Sequence, residues 1–216
     1  MTIPTLMSKI ANVRLESQFK KGHSLLAQAV KMYNSDEERA FGGVAEKNFE
    51  VPDLRKYFTG TTSCNNKDAG TSKYCIARTE SSGGTTTVTN KDYKYTNYSR
   101  TAEYVTTNSF DDNQFFLNNG MLIIVDGNPW NGNHILVTID TNGKPAKPNS
   151  LGHDVFMFEL AYSDKEGGFE ILPSGAPGTY YKDKGQYCSK TNKGSTNGLG
   201  CTYYALSDSG YFKNLP

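Results

Sequence analysis

The sequence predicts an α+β protein in which a long amino-terminal α-helix packs on an antiparallel β-sheet with disulfide-stapled loops. Three observations support this class. Apolar residues recur at helical spacing near the amino terminus. Short runs rich in Tyr, Thr and Val follow, separated by Asn-Gly and Asp-Gly pairs that are typical of hairpin turns. Finally, the four cysteines form two local pairs. No repeat or linker divides the chain, so we predict a single domain over residues 1–216.

The amino-terminal helix is predicted over residues 1–34, with regular structure from about Thr5 to Asn34. Its apolar residues recur at intervals of three and four, which is the spacing of one helical face. Such a helix reaches roughly 45 Å, whereas a typical strand spans about 20 Å. We therefore expect its second half to pack on the sheet and residues 1–10 to project. The residues assigned to the core or to assembly are Ile10, Leu15, Phe19, Leu26 and Tyr33.

The rest of the chain is predicted to form a connection followed by the sheet. Residues 35–100 are expected to contain the first stapled loop, and residues 101–216 the strands and the second stapled loop. Apolar runs separated by hairpin turns predict a meander of antiparallel strands. One face of such a sheet needs cover, which the helix supplies. The predicted strands are residues 115–117, 121–125, 134–139, 155–160 and 169–172.

The cysteines flank two small polar loops, Cys64 with Cys75 and Cys188 with Cys201. Loops rich in Asn, Lys, Ser, Thr and Gly cannot hold a shape by burial, so a covalent staple has a use there. An even number of locally paired cysteines favours disulfides in an oxidising compartment. Zinc binding and free thiols are the alternatives, although neither pair has the Cys-x-x-Cys spacing of a zinc knuckle.

The sequence argues against nucleic-acid binding and against catalysis. The net charge is +1, and the basic residues are scattered among acidic ones rather than gathered in a stripe. No Gly-x-Ser-x-Gly, Walker loop or dinucleotide fingerprint occurs, and no nucleophile motif accompanies the histidines at positions 23, 134 and 153. We therefore predict that the protein is not an enzyme and has no nucleic-acid partner.

Oxygen-bearing side chains cluster between two of the predicted strands. Asp140, Asn142, Asn149 and Asp154 offer carboxylate and amide oxygens, which are the ligands that Ca²⁺ prefers. The alternative is an Asn-Gly turn with a capping aspartate, because a tight calcium site usually needs more than two carboxylates. Calcium is the one cofactor that the sequence indicates.

Two parts of the chain resemble proteins of the type IV pilin and type II secretion pseudopilin family. The opening residues Met1–Leu6 resemble the end of the family's hydrophobic segment, and Phe19–Ala29 resembles the amphipathic half-helix that follows it. The segment Asp140–Phe156 is similar to a D-x-N-G … P-N … G-x-D-x-F pattern of the same branch. Residues 188–201 resemble a late cysteine-bounded loop of that branch, and the middle of the chain is unmatched.

The resemblance implies a structural subunit that assembles through its amino-terminal helix with copies of itself or with other pilins. It also implies a leader and a hydrophobic helix ahead of Met1, which would hold the protein in the inner membrane before assembly. The final location would be the cell envelope or an extracellular filament. No run of about 20 apolar residues, the length of a membrane span, occurs in the sequence, so we expect that segment to lie outside it. Some pseudopilins of this kind hold calcium in a carboxy-terminal loop.

A second function is a secreted β-rich binding module, such as a carbohydrate-binding or adhesin domain. The single tryptophan, Trp130, lies in a Gly- and Asn-rich turn, where an exposed ring could stack on a sugar. A lone tryptophan near strands more often packs against the sheet. A row of exposed aromatic side chains on one sheet face would favour the binding module over the filament subunit.

Overall fold

The computed structural model describes residues 3–36, 53–64, 73–76, 78–82, 85–89, 94–104, 110, 113–126, 134–163 and 168–216. For residues 3–6, 8, 78–82 and 85–89 it describes the backbone alone. Within these ranges no helix combines the length and the apolar character that crossing a membrane requires.

The first element is helix α1, Ile3–Asp36. It extends two residues beyond the predicted end at Asn34, and the Ser35 hydroxyl in this last turn donates a hydrogen bond to the Lys31 carbonyl. Its second half packs on the sheet through a stripe of buried side chains. That stripe consists of Leu15, Phe19, Leu26, Ala29, Val30 and Tyr33. Gly22 belongs to the same face, and a Cβ there would lie only 3.2 Å from Cγ2 of Ile139, so a glycine permits this close approach.

Strand pairing confirms the predicted meander. The strands are β1 Thr61–Ser63, β2 Arg78–Ser82, β3 Thr85–Thr89, β4 Tyr95–Thr96, β5 Glu103–Tyr104, β6 Asn113–Leu117, β7 Leu122–Val125, β8 Ile135–Asp140, β9 Val155–Ser163 and β10 Gly168–Pro173. Six of them form the main sheet in the order β1-β6-β7-β8-β9-β10, and every neighbouring pair is antiparallel. The hairpins β2–β3 and β4–β5 form two separate two-stranded sheets.

Two short helices follow the sheet, α2 Lys184–Tyr187 and α3 Thr202–Ser207. Short 3-10 turns cover Leu54–Tyr57 and Phe212–Asn214. Strand β1 was not among the predicted strands. It comes from the connection 35–100 and pairs with β6 at one edge of the sheet. Its sequence, Thr-Thr-Ser, is only three residues long and has no apolar alternation that would mark it as a sheet strand.

Both faces of the sheet are covered, which explains why every residue of β8 is buried. Ile135, Val137 and Ile139 pack in the core beneath α1. Leu136, on the opposite face, packs in a second core formed with loops and short strands. The second core includes Tyr95, Phe110, Leu151, Met157, Tyr181 and Leu199. The predicted helix-on-sheet arrangement is confirmed, and the opposite face is covered by segments far apart in sequence.

Both predicted disulfides are present, Cys64–Cys75 and Cys188–Cys201. All four half-cystines are buried, the first pair in the second core and the second pair in the core beneath α1. Within the second loop, residues 189–196 are exposed or half-buried, whereas residues 197–200 are buried. The second staple therefore holds a loop that only partly faces solvent.

Candidate functional site

The predicted oxygen cluster is assembled at one end of the sheet. Asp140 is the last residue of β8, and Asp154 immediately precedes β9. The two strands pair so that Asp140 lies opposite Val155. Both aspartates are fully buried. The fourteen-residue connection between the strands thus begins and ends beside two carboxylates that solvent does not reach.

Asp140 caps the start of this connection. Its Oδ1 accepts hydrogen bonds from the backbone N–H of Gly143 at 2.7 Å and of Asn142 at 3.4 Å. Its Oδ2 accepts a hydrogen bond from the Tyr95 hydroxyl at 2.9 Å. The predicted Asn-Gly turn with a capping aspartate is therefore present, and Tyr95 ties it to strand β4.

Asp154 caps the end of the connection in the same way. Its Oδ2 accepts the backbone N–H of Asn149 at 2.8 Å, and its Oδ1 accepts that of Ser150 at 2.7 Å. Asn149 has a φ of 55°, in the left-handed region that Asn tolerates better than most residues. The carboxylate therefore fixes a backbone conformation that is otherwise unfavourable.

Two buried carboxylates near each other are electrostatically unfavourable unless one charge is neutralised. Burial, followed by the repulsion of Asp154, raises the pKa of Asp140 well above its usual value. Burial also raises the pKa of Asp154 to about 6, although the hydrogen bonds from Ser150 and Asn149 oppose the shift. A proton or a cation bound between the two residues would relieve this repulsion.

The amide oxygens around the pair have no partner. Asn142 donates from Nδ2 to the Lys147 carbonyl at 3.1 Å, and Asn149 donates from Nδ2 to the Lys144 carbonyl at 3.3 Å. The Oδ1 atoms of both asparagines, and Oγ1 of Thr141, are buried without a hydrogen-bond partner. Such atoms are costly to bury unless something binds them.

This donor set suits calcium chemically, because it offers carboxylate, amide and hydroxyl oxygens from one connection. Asp140, Asn142, Asn149 and Asp154 would hold the ion. The described residues contain no group of three or more His, Cys, Asp and Glu side chains that could hold a metal, so two carboxylates would supply all of the negative charge. Two carboxylates are few for calcium, so any binding here would be weak, and calcium binding stays a prediction.

A second feature is an exposed apolar stripe on the first turns of α1. The side chains of Met7, Ile10 and Val13 are 66%, 61% and 66% exposed. Because an α-helix turns by about 100° per residue, Ile10 and Val13 lie roughly 150° around the helix from the buried stripe, whereas Met7 lies at its side. Met7 and Ile10 border the connection between β8 and β9, yet both stay largely exposed. Ile10, assigned to assembly from the sequence, belongs to this exposed stripe.

The histidines each have a structural environment. His23 stacks on the ring of Phe158, and burial lowers its pKa. His153 is fully buried, and burial lowers its pKa to about 4, so it is neutral at pH 7. His134 pairs through Nδ1 with Oε2 of Glu159 at 2.8 Å.

The Glu159–His134 pair was missed by the sequence reasoning. Glu159 is fully buried, and its other oxygen accepts the backbone N–H of Tyr180 at 2.8 Å. The signal that could have revealed it is a glutamate in the middle of an apolar strand, since a buried carboxylate needs a partner. Trp130 lies outside the described residues.

Comparisons of the chain with protein-family models, with curated proteins and with solved structures found no match. The residues and contacts described above are therefore the basis for any statement about function.

Proposed function

We propose that this protein is a structural subunit of a type IV pilus or a type II secretion pseudopilus, and that it assembles through α1. The observation that carries the proposal is the exposed apolar stripe of Met7, Ile10 and Val13. Large apolar side chains that recur along an exposed side of a helix are typical of an interaction surface.

Burial of this stripe would favour assembly. Covering one large aliphatic side chain contributes on the order of 1.5–3 kcal/mol. A second copy, or another pilin, could supply the cover by laying its own helix alongside. The same contribution would recur at each contact between neighbouring subunits of a filament.

The division of α1 into two halves fits this role. The half that contains Leu26 and Tyr33 is buried on the sheet and anchors the globular body. The half that contains Met7 and Ile10 presents its side chains outward. At about 1.5 Å per residue, α1 is roughly 51 Å long, whereas its longest strand partner, β9, has nine residues. In this proposal, α1 both anchors the globular body and presents the side chains that contact the next subunit.

The two disulfides suit a protein that leaves the reducing cytoplasm. The proposal places the subunit in the cell envelope and in an extracellular filament, and in the inner membrane before assembly through an apolar segment ahead of Met1. Its partners are copies of itself or other pilins. Neither catalysis nor nucleic-acid binding is part of the proposal.

The test compares two apolar-to-aspartate substitutions in the full-length gene product, expressed in its native cell. Ile10→Asp places a charge in the exposed stripe and should abolish filaments recovered by shearing. Leu206→Asp changes an exposed residue of α3, outside the stripe, and should leave the filament yield unchanged. The isolated chain should melt within about 2 °C of wild type in both variants, because neither residue is in the core. Normal filaments from Ile10→Asp would contradict assembly through this stripe.

The alternative, a secreted binding module, has less support. Its signature would be a row of exposed aromatic side chains on one sheet face, but both faces of the sheet are covered. Among the described residues, the large aromatic side chains that are exposed are Tyr74 and Tyr180, which come from different segments. We therefore prefer the filament subunit.

A further inference from the structure

A groove of about 690 Å³ lies between the first turns of α1 and the connection between β8 and β9. Three exposed cations line it, Arg14 from α1, Arg100 from the turn between β4 and β5, and Lys147 from the connection. Among the described residues that line the groove there is no Asp or Glu. Within the part of the chain that the structure describes, none of the three cations lies within 4.0 Å of a carboxylate. Like charges around one concavity repel each other, so the groove favours an anion.

Arg100 is held in position for such an anion. Its φ is 55°, an unusual value for a residue with a side chain. Its guanidinium donates to Nδ1 of His153 at 2.9 Å, and Nε2 of the same ring donates to the Tyr98 carbonyl at 2.9 Å. A guanidinium can only donate, so Nδ1 accepts and the ring is neutral in this arrangement. His153 therefore orients Arg100 without adding or removing charge.

The groove also offers an acceptor that lacks a donor. Gln18 lines it, and Oε1 of this residue is buried without a hydrogen-bond partner. A buried oxygen of this kind is costly unless a donor reaches it. An anion that also carries hydroxyl groups could satisfy the cations and this oxygen together.

The mouth of the groove is apolar. Met7 and Ile10 line it, yet their side chains are 66% and 61% exposed. Val13, in the next turn, is equally exposed. An acidic polysaccharide would meet the cations but would leave these aliphatic side chains in water. A ligand that carries an anionic polar part and hydrocarbon chains would cover both kinds of surface.

The start of α1 has the charge pattern of a segment that lies on an anionic bilayer. Lys9 and Arg14 are exposed there, and no acidic residue precedes Glu16. Glu16 itself accepts a hydrogen bond from Lys20 at 2.6 Å. Cations placed among exposed aliphatic side chains are typical of helices that rest on membranes with acidic lipids.

We propose that this groove binds the headgroup of an anionic phospholipid whose headgroup alcohol is a polyol, as in phosphatidylglycerol, at a bilayer surface. The phosphodiester lies against the three cations, since a guanidinium fork matches phosphate oxygens. A headgroup hydroxyl donates to Gln18, and Met7 and Ile10 face the acyl chains. The inference rests on the proposed function, in which an apolar segment ahead of Met1 brings this end of α1 to the membrane before assembly. Exchange of lipid for a neighbouring subunit along the stripe would then accompany assembly.

The experiment measures binding of the 216-residue chain to vesicles by co-sedimentation, which needs neither the membrane segment nor a filament. Vesicles of phosphatidylcholine mixed with phosphatidylglycerol should bind at least about tenfold more tightly than phosphatidylcholine alone, because cations near an anionic surface are attracted to it. The matched lipid is phosphatidylethanol, which carries the same phosphodiester charge but no headgroup hydroxyl. Vesicles that contain it should bind about threefold more weakly than those with phosphatidylglycerol, because Gln18 gains no donor.

Two variants separate charge from hydroxyl recognition. Arg14→Glu with Lys147→Glu should weaken binding to phosphatidylglycerol vesicles at least about tenfold. Gln18→Leu should bind the two anionic lipids equally. The control, Lys190→Glu with Lys213→Glu, changes the net charge by the same amount at exposed positions that do not line the groove, and should alter the affinity less than about twofold. Arg100 is left unchanged because it contacts buried His153.

Folded wild-type protein that does not bind phosphatidylglycerol vesicles would overturn the lipid site. Equal affinity of wild type for the two anionic lipids would overturn recognition of the headgroup, and equal losses in the groove variant and the control would overturn the place of binding. Circular dichroism of each variant checks that it is folded. Filaments from the full-length protein without vesicle binding by the isolated chain would overturn the lipid site alone. Vesicle binding without filaments would overturn the filament function alone.

Discussion

At the scale of single residues, Asp140 and Asp154 combine two roles that conflict. Each carboxylate satisfies two backbone N–H groups of the connection, which stabilises its conformation. The two charges also repel each other inside the protein, which destabilises it. A calcium ion would keep the first contribution and remove the second. The balance between these effects can be measured with one isosteric substitution.

We predict that Asp140→Asn is at least as stable as wild type at pH 7 in chelator. The substitution removes one of two buried like charges, while the amide oxygen can still accept the N–H of Gly143 and the amide nitrogen can donate to Tyr95. Millimolar calcium should raise the melting temperature of wild type, because a ligand of the folded state stabilises it by mass action. It should not raise that of Asp140→Asn, which lacks one of the two charges.

Asp154→Ala is the companion variant and should be destabilised in calcium and in chelator alike, because two backbone N–H groups lose their acceptor. A wild-type melting temperature that is identical in calcium and in chelator would show that the connection is an ordinary capped turn. These melting temperatures have to be compared at one pH, because the stability contributions of His153 and Asp154 both change with pH.

His153 and Asp154 respond to pH in opposite directions. The folded-state pKa of His153 is lowered from 6.5 to about 4, so the stability it contributes is present above pH 6.5 and is lost as the pH falls towards 4. The folded-state pKa of Asp154 is raised from 3.8 to about 6. Its contribution to the free energy of unfolding therefore grows as the pH falls from 6 towards 3.8 and is lost as the pH rises through 6. Over the same window the two effects partly cancel, and a pH titration of wild type alone would not separate them.

At the scale of elements, the end of α1 is joined to the open edge of the sheet. The Asn34 side chain donates to the Phe169 carbonyl at 2.9 Å and accepts the Phe169 N–H at 3.0 Å. It therefore pairs with the edge strand β10 as a neighbouring strand would. Gly168 makes room for it, because a Cβ there would lie 2.6 Å from Cγ of Asn34. The edge is thus partly closed to other strands, which limits aggregation.

We predict that Asn34→Ala and Gly168→Ala each destabilise the protein by about 1–2 kcal/mol, because both break the same pair of hydrogen bonds. The double variant should lose clearly less free energy of unfolding than the two single variants lose together, since the second substitution has no hydrogen bond left to break. Urea denaturation of the four proteins measures this coupling. Both single variants should also aggregate more at high concentration. Strictly additive losses would show that Gly168 does not act through Asn34.

At the scale of the whole molecule, the sequence predicted those parts of the fold that depend on local pattern. The spacing of Leu15, Phe19 and Leu26 predicted α1, and hairpin turns predicted the meander. The acid pair was also predictable, because both aspartates flank one strand connection. Strand β1, the layer around Tyr95 and the Glu159–His134 pair depend on contacts between distant segments. No local pattern specifies such contacts, because the partner is known only after the chain has folded.

The two cores lie on opposite faces of one sheet, and each contains one disulfide. Strands β7, β8 and β9 contribute side chains to both cores, so neither core can form while the sheet is disrupted. This shared sheet indicates one cooperative unit. Residues 3–36 pack on one face alone, but their loss would expose the strands on which the other core also depends.

We predict that removing either disulfide lowers the stability of the whole molecule in a single transition. Each staple joins cysteines separated by 11 or 13 residues, and closing such a loop contributes about 3 kcal/mol. The variants Cys64→Ala with Cys75→Ala, and Cys188→Ala with Cys201→Ala, should each melt roughly 6–12 °C below wild type. Removing both pairs should lower the free energy of unfolding by the sum of the two losses, to within about 0.5 kcal/mol, because the two staples lie in different cores. Melting is followed by far- and near-ultraviolet circular dichroism, and the two signals should coincide in every variant. Two separate transitions after the loss of Cys64–Cys75 would show that the second core unfolds by itself, and that the sheet does not couple its two faces.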